Sequence, residues 1–262
     1  MKKLRNLSLL FCLHIICFSS CKKNEANSDS EPQTPPDVTA PSYIFSRFDA
    51  NGLFKLQRTL NYWNDPLQGP TETISNEAIA SFKLTPFDSA NIDIGDVSCQ
   101  YKYLSYQTNG FYLVNGNAAS TMIFNDTLGV FWSSLGNPSF GVPGINYTTS
   151  KPMPAYLGVA NNSMPNSLSR NLGFQIPLGA NLKNADSVFV SVTVGQKSVK
   201  KTIGASTSFC SFSNSELGSL SASNGKSALL QVAPINYDVT LAGARKIYLA
   251  NITAYTKFVE VK

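Results

Sequence analysis

Between Ser187 and Val194 the chain alternates without a break: Val188, Val190, Val192 and Val194 point one way, and Phe189, Ser191 and Thr193 point the other. A period of two places every second side chain on one face of a β-strand, and an all-valine face has to be buried. Such a strand requires a covering layer, and the rest of the chain offers strands rather than helices to provide it. Gly195-Gln196-Lys197 turns the chain toward a second run at 199–203. Further runs rich in Val, Ile, Phe, Tyr and Thr occur at 78–84, 97–106, 111–114, 130–132, 228–233, 237–241 and 246–254. Asn109-Gly110 separates two of them, a strong hairpin signal because both residues tolerate positive φ. Ala242-Gly243-Ala244-Arg245 closes another hairpin, and Asn51-Gly52, Asn115-Gly116 and Asn224-Gly225 are further turn candidates. The one helical signal is Ser213-Asn214-Ser215-Glu216 before Leu217, a capping-box spacing long enough for a single turn. The expected fold class is all-β.

Residues 136–169 change character, with five prolines and four glycines among 34 residues and no alternation. This stretch predicts two sandwich-like β units: one over 43–135, then an irregular connection over 136–153, then an Ig-like sandwich over 154–262. A long connection inside one larger sandwich is the alternative.

The N-terminus reads differently. Lys2, Lys3 and Arg5 precede the apolar run LSLLFCLHIICF, and small residues lead to Cys21. Basic, apolar and small segments in that order form a signal-peptide pattern over 1–20. The twelve-residue apolar run is shorter than the roughly 20 residues that span a bilayer. Phe18-Ser19-Ser20-Cys21 resembles the lipobox of bacterial lipoproteins, and the chain has the general look of Gram-negative surface lipoproteins. The resemblance implies cleavage before Cys21, acylation of that cysteine, and an outer-membrane or cell-surface location, with a periplasm-facing one as the alternative. Residues 21–42 suit a tether, since Pro32, Pro35, Pro36 and Pro41 interrupt a stretch with almost no large apolar side chain.

Composition narrows function once the leader is set aside. Of 262 residues, 43% are apolar and only 14% charged, enough apolar material for a packed core. Three of the 21 basic residues lie in the leader and none of the 16 acids does, so the remaining charge is nearly balanced and nucleic acid is not an expected partner. The single histidine, His14, is also in the leader, which removes His-based catalysis and His metal ligands from the rest. Cys99 alternates with Val97 and Tyr101, and Cys210 shares a face with Phe212, so both are expected as buried free thiols.

Three groups of residues carry candidate chemistry. Asp88, Asn91, Asp93 and Asp96 fall within nine residues beside Gly95, an oxygen-rich spacing that raises calcium. The segment lacks the Asp-x-Asp-x-Asp-Gly pattern, and Ile92 and Ile94 alternate with Asp93 as in a strand with one wet face, so no metal or other cofactor is expected. Trp63, beside Asn61, Asn64 and Asp65, and the pair Tyr101 and Tyr103 are the candidate ligand-binding aromatics, suited to stacking on a sugar. Asp88-Ser89-Ala90, Asp126-Thr127-Leu128 and Asp186-Ser187-Val188 resemble the Asp-Ser/Thr-apolar O-glycosylation sequon of some Gram-negative bacteria, making Ser89, Thr127 and Ser187 candidate glycan acceptors. The expectation is a non-enzymatic, lipid-anchored binding or adhesion module, with a glycan or an envelope protein as its ligand. A structural subunit of an envelope assembly is the alternative.

Overall fold

The computed structural model describes residues 50–65, 69–114, 119, 121–124, 127–159, 163–220, 222 and 228–262, and only the backbone of 63–65 and 69–71. In chain order the strands are β1 (Gly52–Asp65), β2 (Gly69–Phe82), β3 (Val97–Cys99), β4 (Lys102–Tyr106), β5 (Tyr112–Val114), β6 (Phe131–Ser134), β7 (Ile145–Thr148), β8 (Ala155–Tyr156), β9 (Ser167–Leu168), β10 (Phe174–Pro177), β11 (Leu182–Lys183), β12 (Ser187–Val194), β13 (Lys197–Gly204), β14 (Phe209–Phe212), β15 (Ala228–Ala242) and β16 (Arg245–Val261). One short helix, α1 (Asn214–Leu217), precedes β15. The fold is all-β, and twelve of the described strands belong to one mixed sheet, ordered β13-β12-β15-β16-β1-β2-β5-β4-β3-β6-β7 with β9 beside β16.

Local sequence accounts for many elements. Gly195 and Gly243 occupy the first positions of two-residue turns at φ +58° and +62°, a conformation glycine adopts without steric penalty. Ser213 Oγ accepts from Glu216 N while a Glu216 carboxylate oxygen accepts from Ser213 N, so the capping box forms as the spacing implies. Gly110, at φ +81°, lies in the loop joining β4 to β5 as expected of Asn109-Gly110. Elsewhere the local signal misleads. The run 97–106 is a hairpin, because Gln100 and Tyr101 both take positive φ and reverse the chain between β3 and β4. The runs 228–233 and 237–241 are one strand, β15. Asn51 makes no turn; its side chain ties Leu84 O to Lys246 N at the start of β1. The alternation at Ile92–Asp93–Ile94 sits in an irregular segment before β3.

Two apolar clusters lie on one face of this sheet. The first gathers Phe54, Phe82, Val97, Leu104, Trp132 and Ile247, and the second gathers Ile176, Val190, Val192, Phe212, Val232 and Val259. On β16, Ile247 and Leu249 belong to the first cluster, and Tyr255, Val259 and Val261 to the second. All are odd-numbered, so a single strand face serves both. Between them, on the same face, Asn251 and Thr253 are buried. Asn251 Nδ2 donates to Asn236 Oδ1 at 3.0 Å and to Thr149 Oγ1 at 3.2 Å, and Asn236 Nδ2 donates to the carbonyls of Pro152 and Asn184. This polar seam fastens the chain around residues 149–152 across the space between the two cores.

The boundary expected at 136–153 therefore does not divide the molecule into two sheets. β1 runs parallel to β16 as a hydrogen-bonded neighbour, β7 lies inside the supposed connection, and the described residues from Ala50 to Lys262 belong to one compact unit. The four-strand array β13-β12-β15-β16, faced by the pairs β8/β11 and β10/β14, is sandwich-like. It shares its central strands with the N-terminal half instead of standing alone as an Ig-like unit. Around the first core the strands from β15 to β7 curl until β7 approaches β15 again: Tyr147 lies beside Asp238, Ser150 N donates to Asp238, and Arg245 donates to the carbonyls of Phe140 and Gly141.

Candidate binding surface

The outer wall of the curled sheet carries the candidate site. Val97, Cys99, Leu104 and Trp132 point inward and are buried, so the alternate residues of the same strands face out. The pairing register aligns Tyr103 on β4 with Ser98 on β3, Ser98 with Ser133 on β6, and Ser133 with Asn146 on β7. Three strand spacings separate the ends of this row, about 14 Å. Ser98 Oγ and Ser133 Oγ are hydrogen-bonded at 2.7 Å. A shallow concavity of about 300 Å³ lies over the row, lined also by Asp96, Tyr101, Phe131, Ser134 and Leu135.

Tyr101 is positioned by backbone strain. It sits at φ +61°, a left-handed conformation that costs a bulky L-residue roughly 1–2 kcal/mol, in the tight turn with Gln100 at φ +48°. The turn lays its ring on Phe131, with centroids 5.1 Å apart and planes 26° from parallel, and leaves the side chain 78% exposed. Tyr103, 73% exposed, stands beside it. Tyr101 and Tyr103 thus line one pocket, although the chain reverses before Tyr101 can extend the strand face of Val97 and Cys99. The site adds Phe131, Ser98, Ser133 and Asn146, which sequence reasoning did not single out. The alternation Phe131-Trp132-Ser133-Ser134 was the available signal, since a buried Trp132 forces Phe131 and Ser133 outward.

The other candidates are placed elsewhere. Trp63 lies on β1 opposite Thr71, and its side chain is outside the described residues, as are Cys21 and Asp126. The four oxygen-bearing residues that raised calcium do not converge. Asp88 accepts from Thr85 N at 2.7 Å and Thr85 Oγ1 at 2.8 Å, and these bonds hold its carboxyl below the usual range. Asp93 Oδ1 accepts from Gly95 N at 2.8 Å and from Tyr112 Oη at 2.6 Å. Asn91 packs against Gly110, and Asp96 faces the concavity. Among the described residues no three acidic or Cys/His side chains are grouped to hold a metal ion. Ser89 and Thr127 are exposed. Ser187 is fully buried at the start of β12, with its Oγ 3.3 Å from Tyr237 Oη, so folding closes it to modification. Cys99 and Cys210 are free and buried in different cores, and burial pushes both thiols up, Cys210 to about 11.

Comparison of the chain with protein-family models, with curated proteins and with solved structures finds no match. No helix among the described residues is long and apolar enough to cross a membrane, which says nothing of strands.

Proposed function

We propose that the protein is a non-catalytic binding module that holds a polyhydroxylated ligand of the glycan class on the outer wall formed by β3, β4, β6 and β7, and that a lipid on Cys21 anchors it to the cell envelope. The observation that carries the binding role is the pairing of two exposed tyrosines with a hydroxyl and amide row. Tyr101 offers the ring face not covered by Phe131, the half-buried Ser133 and the exposed Asn146 offer donors and acceptors one strand spacing apart, and the largely buried Ser98, one spacing further, holds Ser133 through their hydrogen bond. Sugars present apolar C–H faces and hydroxyl edges, which matches that division. The two serine hydroxyls bond to each other, and no histidine follows the leader to act as their base, which favours binding over catalysis.

The alternative role as an assembly subunit would use an open strand edge. The edge strand β13 carries Lys197, Lys200 and Lys201, a composition that discourages edge pairing, and Lys201 is occupied by Glu216 and Ser211 O. The binding role therefore has the better support.

A glycan array probed with the full chain in detergent should return a restricted set of ligands. Tyr101→Ala and Tyr103→Ala should each weaken binding by about 1–3 kcal/mol, by analogy with base–aromatic stacking. Undiminished binding by both variants would remove the surface from consideration. For the anchor, an alkyne fatty acid fed to cells should label the wild type and not Cys21→Ser; equal labelling would refute it.

A further inference from the structure

We infer that Asp96 makes this surface selective by charge, so that it takes neutral or amino-bearing sugars and turns away acidic ones. The inference rests on the binding role proposed above. Among the described residues Asp96 is the only formally charged one that lines the concavity, and it is exposed there. Its backbone is fixed, since Asp96 O accepts from Leu135 N at 3.0 Å. Its carboxylate has no hydrogen-bond or ion-pair partner among the described residues, whereas Asp88 and Asp93 in the same segment spend theirs on Thr85, Gly95 and Tyr112.

The chemistry of the lining makes the selection directional. An ionised carboxylate only accepts, so a ligand group beside Asp96 must donate, as a hydroxyl or an ammonium does. Two residues along, on the same face, the Ser98–Ser133 pair spends one hydroxyl proton internally and keeps one donor, while Asn146 both donates and accepts. A hydroxyl-rich ring satisfies this set. A uronic acid brings a carboxylate that can only accept, and among the described residues no Lys or Arg lines the concavity to receive it. At a water-exposed site two like charges about 4 Å apart weaken binding by roughly fivefold, and an ammonium in the same place strengthens it by a similar factor.

The test is an array on which the same sugar backbones are printed in neutral, free-amine and uronic-acid forms, probed with the full chain in detergent at low ionic strength. The wild type should bind uronic-acid forms about fivefold more weakly than neutral ones, with amine forms at least as strong as neutral. Added salt should shrink both differences. Asp96→Asn, close in shape and exposed, should bring the uronic-acid and neutral forms to near equality, whatever it does to absolute affinity. Wild type that binds uronic-acid and neutral forms alike, or an Asp96→Asn ratio equal to wild type, overturns the role of Asp96, and leaves the surface standing if Tyr101→Ala still loses binding. Failure of the wild type to bind any form of any backbone overturns both the selectivity and the glycan-binding role beneath it.

Discussion

Tyr101 shows how one residue trades stability for exposure. Its left-handed conformation is disfavoured for a side chain of that size, and the contact with Phe131 returns about 0.5–1.5 kcal/mol. Tyr101→Ala would lose the contact and keep the strain; Tyr101→Gly would lose the contact and release the strain. Both variants should lose ligand, but the glycine variant should melt above the alanine one by about 2–4 °C, the shift expected for roughly 1 kcal/mol in a domain of this size. Thermal melting decides it, and an alanine variant as stable as the glycine one would mean that the turn is not built this way. The tyrosines were legible in the sequence as a candidate stacking pair, because Tyr101 and Tyr103 stand two residues apart as on one strand face, whereas the positive-φ turn that carries Tyr101 out of that strand was not. Their neighbours were not legible, since Ser98, Ser133 and Asn146 meet only through pairings between strands distant in the chain. Ser187 is the opposite case: a sequon-like triplet that the valine face of β12 carries into the interior.

At the scale of elements, the strands that alternate strictly were legible and the interrupted ones were not. β12 declares itself through four valines. β1 keeps Phe54, Leu56 and Leu60 in the two cores, but Arg58 breaks the apolar series at the level of the polar seam, where it lies over the ring of Phe124 at 5.8 Å. The approach of β7 to β15 depends on Asp238, whose place in the middle of a strand gave no hint of that role. Partial burial pushes its carboxyl up, but hydrogen bonds from Ser150 N and Tyr147 outweigh this and leave it below the usual range, while Tyr147 is pushed up to about 12. A carboxyl depressed in the folded state contributes stability that is present above its unfolded value, near 3.9, and is lost as pH falls through the folded value. Asp238→Asn should therefore melt lower than wild type at neutral pH. A charge-assisted bond discounted for solvent screening is worth about 1 kcal/mol, or about 2–4 °C here. The two melting curves should converge as the pH is lowered below the usual carboxylate range. A gap that persists undiminished in acid would show that the charge of Asp238 is not what holds β7 in place.

The whole molecule joins two cores through shared strands, and this was the least legible level, because the parallel pairing of β1 with β16 links opposite ends of the folded chain and leaves no local trace. The sequence change at 136–169 does mark the passage from one core to the other, yet the seam of Asn236, Asn251 and Thr149 binds that passage to the central strands. A strand that serves both cores cannot be lost from one and kept in the other without cutting its own hydrogen-bond ladder, so the compact unit should unfold in a single transition. Val192 tests this better than Val190. Val190 faces Lys201 across the β12–β13 ladder, so an acid introduced there has a cation within reach, one already shared with Glu216, whereas Val192 faces only Val199 and Leu230. Val192→Asp puts an unpaired carboxylate in the second core and should cost several kcal/mol, about 3–5, out of a total stability of roughly 5–15 kcal/mol. Trp132, fully buried in the first core, reports from the other side, in a Trp63→Phe background that removes the second tryptophan. Its fluorescence should move to the same lowered midpoint as the far-ultraviolet circular dichroism of the sheet. If Trp132 instead holds the wild-type midpoint while the sheet signal melts early, the first core folds independently, and the shared strands do not couple the two halves.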